Sequence, residues 1–240
     1  MRPTVVTTFS PQGYQCYGRA FVQSFLQQEK EALLVCYHES MDVDQIAPNL
    51  EWRNLDADMD RKQFIAEHGS DPAKVSDARF PNHQSIRFCH KVFAITHAAR
   101  LKRSGWLVWL DSDVVITGKP EWDDVLPATA SLAFLGRPHY AYTECGFVGY
   151  QLDDQRVQKM LEDMRSYYVS GEIFTRPDRD HHDSRCFDIC RERSGIPNDR
   201  QHNISRNKLG THVWPLTPLQ KWSTHNKGPG RKRSAYGSIA

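Results

Sequence analysis

The sequence predicts an α/β protein, a single domain with a mostly parallel central sheet. Three observations carry this expectation. The chain opens as strand, helix, strand: TVVTTF at residues 4–9, an apolar stripe from Tyr14 to Gln28, and ALLVCY at residues 32–37. A second helix leads into the very apolar run WLVWLD at residues 106–111. The chain has 240 residues, enough for one substantial core. The right-handed crossover rule then makes the first two strands parallel neighbours.

Each element has a local cause. TVVTTF is β-branched and breaks at Ser10, Pro11, Gln12 and Gly13. Tyr14, Tyr17, Phe21 and Phe25, with Gly18 and Val22 beside them, fall at helical spacing. ALLVCY is a continuous apolar run of the kind found in strands covered on both faces. From Glu39 to Gln84 the chain turns polar, with three prolines, and reads as irregular with room for one short helix. Phe88, Val92, Ile95 and Ala99 restore a helical stripe that runs to Arg103 and ends at Ser104 and Gly105. After WLVWLD come SLAFL at 131–135, CGFVGY at 145–150, and a helix outlined by Val157, Met160, Leu161, Met164 and Tyr168. Beyond Glu172 the pattern is aperiodic. Ligands of such sheets bind beyond the carboxyl ends of the strands.

Composition narrows the function classes. With 39% hydrophobic and 25% charged residues the chain is in the range of sequences that fold. No apolar run approaches the ~20 residues of a membrane span, and the start MRPTVVTTFS is not a signal peptide pattern. The six cysteines sit mostly in apolar segments, as reduced thiols do, so a cytoplasmic protein is expected. Residues 200–240 hold eight lysines and arginines and no acid; against a net charge of +2, this leaves −6 for residues 1–199. Such a basic end suits an acidic site, a phosphorylated ligand or nucleic acid.

Asp111 and Asp113 stand two apart at the end of the most apolar strand. If extended geometry persists, both carboxylates point to one side and Ser112 to the other, a perch for Mg²⁺ or Mn²⁺ against a phosphate or diphosphate. Three enzyme classes place Asp-x-Asp at the mouth of a strand. A dehalogenase-type phosphatase carries it on the first strand, with a later lysine and acidic pair. A nucleotidyltransferase needs an upstream Gly-Ser turn and a third carboxylate on a neighbouring strand. A binding module that keeps such a fold without chemistry is the alternative to an enzyme.

The third class is the one this chain resembles. TTFS followed by YGRAFVQSF is similar to the nucleotide-binding start of GT-A nucleotide-sugar glycosyltransferases, LVWLDSDVV to their metal-binding DxD, and STHNKGPGRK to their late His-x-x-Gly segment. The resemblance implies a Rossmann-like GT-A domain. Residues 1–113 would form the nucleotide-sugar-binding half, 114–220 the acceptor side, and 221–240 a basic tail closing over the diphosphate. It further implies a metal-dependent, hexosyltransferase-type enzyme using a nucleotide-sugar, a UDP-sugar first. Asp111 and Asp113 would hold the cation, His225 would supply a third ligand, and the imidazole would favour Mn²⁺ over Mg²⁺. Lys227, Arg231 and Lys232 would neutralise the leaving diphosphate, and Gly228 and Gly230 would let the backbone approach it. The base would lie against Thr8, Phe9 and Tyr14, Ser112 would count among the donor-binding residues, and Arg87 and Lys91 resemble positions that reach the donor. Asp183, in the dense segment DRDHHDSRCFD, would act as general base or bind sugar hydroxyls, and Glu144 would hold a sugar or acceptor hydroxyl. The acceptor is left as a saccharide, a small molecule or a hydroxymethylated base in DNA. The stereochemical course is open.

Overall fold

The structure, a computed structural model, describes residues 2–70, 84–138, 141–175, 181–205 and 212–227. The β-branched opening run forms β1 (Thr4–Phe9). It is followed by a helix, α1, that starts as a single turn at Pro11–Gly13, passes through a π-helical stretch at Tyr14–Gly18 and continues as Arg19–Gln28. Ser10 caps it, its Oγ accepting from Gly13 N at 3.0 Å. A Cβ on Gly18 would overlap the Phe9 ring, so the helix approaches the strand end closely because this residue has no side chain. Next come β2 (Leu33–His38), β3 (Leu50–Asn54) and α2 (Met59–His68). α3 (Ser85–Lys102) leads to β4 (Trp106–Leu110), β5 (Val114–Ile116) and a short α4 (Trp122–Val125). β6 (Leu132–Leu135), β7 (Glu144–Gln151), α5 (Gln155–Val169), α6 (Asp183–Arg193) and β8 (Ser223–His225) complete the described strands and α-helices.

The main sheet has the order β3-β2-β1-β4-β7-β6. β1, β2, β3 and β4 are parallel, β7 is antiparallel to β4, and β6 is antiparallel to β7. Both faces are covered, which is why WLVWL is apolar throughout and buried at every position. Leu107 and Trp109 belong to one core with residues of α2, α3, α5 and α6. Trp106, Val108 and Leu110 belong to the other, with residues of α1, α4, Trp214 and Trp222.

Two expectations are corrected. The stretch from Glu39 to Gln84 is not irregular apart from one helix: it contributes the edge strand β3 as well as α2. β3 is only half buried along Leu50–Arg53, so its sequence LEWRN lacks the apolar signal of an inner strand. Extended geometry does not persist through the DxD either. β4 stops at Leu110, and Asp111 to Val114 form a turn closed by Val114 N to Asp111 O at 3.2 Å.

Candidate active site

The turn delivers the two acids to a second, two-stranded sheet. β5, directly after the turn, pairs antiparallel with β8, and Val114 faces His225 in that register. Asn226 N also donates to Asp113 O at 3.1 Å. His225 thereby points Nε2 at both carboxylates, 3.0 Å from Asp113 Oδ1 and 3.7 Å from Asp111 Oδ2. Asp111, Asp113 and His225 are the group among the described residues whose donor atoms lie close enough together, within 4.8 Å, to hold a metal ion. Two hard carboxylate oxygens and one imidazole nitrogen fit a divalent cation such as Mn²⁺ or Mg²⁺. Burial also matters. His225 is 1% exposed and its ring lies 4.9 Å from that of Trp214.

Lys91 links the acids of the site. Although 8% exposed, its ammonium lies 3.2 Å from Asp111 Oδ1 and 2.8 Å from Asp183 Oδ2, and donates to Cys145 O at 2.5 Å. Burial works against the charge, but Asp111 and Asp183 outweigh it and hold the ammonium well above its ordinary pKa. The reverse balance holds for Asp183, where burial favours the neutral acid and Lys91 overrides it, leaving the carboxyl below its usual range. Asp183 is the first residue of α6, and His182 is the cap, with Nδ1 accepting from Arg185 N at 3.3 Å. Trp109 Nε1 donates to Asp111 Oδ1 at 2.7 Å, and Lys91 Nζ sits 4.9 Å from the Trp109 ring centroid.

Glu144 opens β7 and is buried at 2% exposure. Lys227 reaches it at 2.5 Å and Arg137 also bonds its Oε2. Burial pushes its pKa up, but Lys227, His225 and Arg137 bring it below the ordinary value. Lys227 is two residues past His225, so one short segment brings an imidazole to the aspartates and an ammonium to Glu144.

The remaining candidates fall in different places. Ser112 occupies the turn between the two aspartates. Thr8 Oγ1 donates to Tyr37 O at 3.1 Å, and Phe9 is buried. Tyr14 is buried as well, edge-on to Phe9 and Trp52, with its hydroxyl bonded to Asp44 at 2.5 Å and Gln45 at 2.7 Å. Arg87 is exposed and contacts Gln84 and Phe88, whereas Lys91, one turn on, reaches the acids. Gly228, Gly230, Arg231 and Lys232 lie outside the described residues. So do Arg206, Lys208 and Arg233; of the tail's other bases, Lys221 pairs with Asp124 at 2.7 Å and Arg200 is exposed.

The sequence reading missed Gly146, Arg137 and Trp109. A Cβ on Gly146 would lie 2.7 Å from His225 Cε1 and 3.4 Å from Asp111 Oδ2, so this glycine makes room for the cluster. A glycine inside an apolar strand was the available signal. Arg137 had none.

No family model matches the chain, and no curated protein matches it in sequence. Its fold, however, is similar to solved glycosyltransferases. The crystal structure of mouse xyloside xylosyltransferase 1 in its apo form aligns with TM-score 0.50 and 10% identity, over 82% of this chain and 83% of that one. The crystal structure of a glycosyltransferase involved in the glycosylation of the major capsid of PBCV-1 aligns with TM-score 0.51 and 14% identity, over 98% of this chain and all of that one. None of the helices among the described residues is long and apolar enough to cross a membrane. The chain has the α/β fold of GT-A glycosyltransferases, with a potential metal cluster at the carboxyl end of its central strand.

Proposed function

We propose that this chain is a glycosyltransferase that moves a sugar, hexosyl first, from a nucleotide-sugar to an acceptor hydroxyl. The donor read from the resemblance is a UDP-sugar, and the cation is Mn²⁺ or Mg²⁺ held by Asp111, Asp113 and His225. The observation that carries the reading is the convergence of two mid-chain acids and an imidazole from β8 where β4 ends. When bound, the cation supplies Lewis-acid stabilisation of the diphosphate leaving group.

The chain's own residues would do the rest. The bond between the anomeric carbon and the diphosphate oxygen breaks, and the nucleoside diphosphate leaves with its electron pair. The acceptor oxygen bonds to that carbon and its proton goes to Asp183. Lys91 keeps Asp183 ionised, which makes it a weak base, so the proton moves late, once the forming bond has made the hydroxyl acidic. Glu144, fixed by Arg137 and Lys227, accepts hydrogen bonds from sugar hydroxyls. Lys227 and the tail beyond it neutralise the departing diphosphate. In this reading residues 1–113 serve the donor and 114–220 the acceptor.

The test is a thermal-shift series with UDP-, GDP-, ADP- and dTDP-sugars, with and without Mn²⁺. At a hundred times Kd a bound donor adds about 2.7 kcal/mol, or roughly 5–10 °C for a chain of this size. Asp113→Ala should fold and lose the Mn²⁺-dependent part. The wild type should also release UDP slowly to water from the UDP-sugar that binds. A folded protein that shows no Mn²⁺-dependent shift with any nucleotide-sugar would remove the proposal.

A further inference from the structure

The two carboxylate oxygens of Asp111 have different surroundings. Oδ1 accepts from Trp109 Nε1 at 2.7 Å and from Lys91 Nζ at 3.2 Å. Oδ2 is the oxygen on the side of the cluster, 3.7 Å from His225 Nε2. The two donors to Oδ1 differ in how firmly they hold it. Lys91 is shared, since its ammonium also lies 2.8 Å from Asp183 Oδ2 and donates to Cys145 O at 2.5 Å. An indole has a single N–H and no acceptor, so Trp109 commits its one side-chain donor to Asp111.

The ring that carries this N–H is itself fixed. Trp109 is 3% exposed and packs in the core it shares with residues of α3, α5 and α6. Its backbone is paired with Val6 of β1 on one side and Val148 of β7 on the other. Asp111 N donates to Gly146 O at 2.9 Å, which ties the backbone of the acid to β7 as well. What freedom remains to the carboxylate is rotation about its side-chain bonds, and the indole opposes it.

We propose that Trp109 is a positioning residue that fixes Asp111 as a one-oxygen ligand and thereby sets which cation the cluster takes. With Oδ1 held by the indole, Oδ2 alone meets the ion. Mn²⁺ and Mg²⁺ are served by single carboxylate oxygens and keep positions for water and phosphate oxygens, whereas Ca²⁺ takes about 6–8 oxygens and gains them from carboxylates that bind through both. Trp109 therefore biases the cluster toward the smaller ions. A hydrogen-bond partner standing behind a ligand in this way is worth about 10–100-fold in metal affinity. The inference rests on the reading of Asp111, Asp113 and His225 as a cation site.

The experiment measures Mn²⁺ binding to the full chain from the electron paramagnetic resonance of the free ion, and Ca²⁺ binding by its displacement of Mn²⁺. Trp109→Phe keeps an aromatic ring beside Lys91 and removes the N–H. It should weaken Mn²⁺ binding at least about tenfold and Ca²⁺ binding by much less, so the preference for Mn²⁺ over Ca²⁺ falls. Trp122→Phe is the control, because it removes a similar bond outside the cluster, from Trp122 Nε1 to Glu29 Oε2 at 2.7 Å. Both affinities should survive in it. Should Trp109→Phe fail to fold, benzothienylalanine at position 109, with sulfur in place of the N–H, makes the same test. A folded variant at this position that binds Mn²⁺ like the wild type would overturn the proposal. So would equal losses for Mn²⁺ and Ca²⁺, the mark of a general loosening, the same Mn²⁺ loss in Trp122→Phe, or no Mn²⁺ binding to the folded wild type. The Mn²⁺-dependent shift of the wild type with nucleotide-sugars is a separate measurement. Where it is present and the metal preference of Trp109→Phe is unchanged, this inference fails and the glycosyl-transfer reading stands.

Discussion

Replacing Gly146 by alanine should damage the metal cluster more than the fold. The added Cβ would sit 2.7 Å from Cε1 and 3.1 Å from Nδ1 of His225. Carbon atoms pack comfortably at about 3.5–4.0 Å, so the ring must retreat by about 1 Å. It has little room, being 1% exposed and flanked by the rings of Trp214 at 4.9 Å and His212 at 5.5 Å. The strand cannot yield either, because Gly146 O accepts from Asp111 N at 2.9 Å and Phe147 is paired with Leu110. Overpacking of this kind costs about 1–3 kcal/mol, which lowers Tm by roughly 2–12 °C. Metal ligation suffers more, since ligand distances are held to about ±0.2 Å. The Mn²⁺-dependent affinity for nucleotide-sugar should fall at least tenfold, a loss of about 1.4 kcal/mol. Thermal denaturation with and without Mn²⁺ and donor reads both effects. Gly118→Ala is the control, because its Cβ would meet nothing closer than 3.7 Å. A Gly146→Ala protein that melts and binds like the wild type would refute the steric reasoning.

Lys91→Met strands Asp111 and Asp183 without their shared cation, and breaking a buried pair in this way costs about 3–5 kcal/mol. Urea denaturation should show that loss and a partial recovery when Asp183→Asn is added; equal stability of Lys91→Met and wild type would count against the pairing. The His90 pKa is pushed by burial down to about 4, and its Nδ1 accepts from Arg61 Nε at 2.9 Å, which requires a neutral ring. The unfolded chain takes up that proton near pH 6.5 and the folded one only near pH 4. Stability is therefore complete above 6.5 and declines by up to about 3 kcal/mol as pH falls to 4. Unfolding free energies between pH 4.5 and 7.5 should slope less in His90→Gln, and parallel curves would assign the dependence elsewhere.

Much of the fold was legible because its inner strands are covered on both faces. TVVTTF read as a strand from its β-branched run, ALLVCY and WLVWL from apolarity, and the stripes of α1, α3 and α5 read as helices. β3 escaped because an edge strand needs apolar residues on few positions, and LEWRN has few. Within the site, the aspartates were visible as acids ending an apolar run. Their geometry was not: they converge through a turn, where strand alternation would have placed them by a different route. Tyr14 was legible as aromatic, but not as a ring closed in by Phe9 and Trp52.

Burial and periodicity are local properties of the chain, so the layered α/β architecture and the carboxylate pair at the mouth of the central strand could be read from the residues. What joins that pair depends on long-range packing. His225 arrives through the pairing of β8 with β5, which brings it to Asp113 across 112 residues. Lys91 reaches Asp111 from a helix and Asp183 from another, and Gly146 leaves the space that lets the imidazole in. These contacts arise from how elements pack after they form, and no spacing along the chain records them.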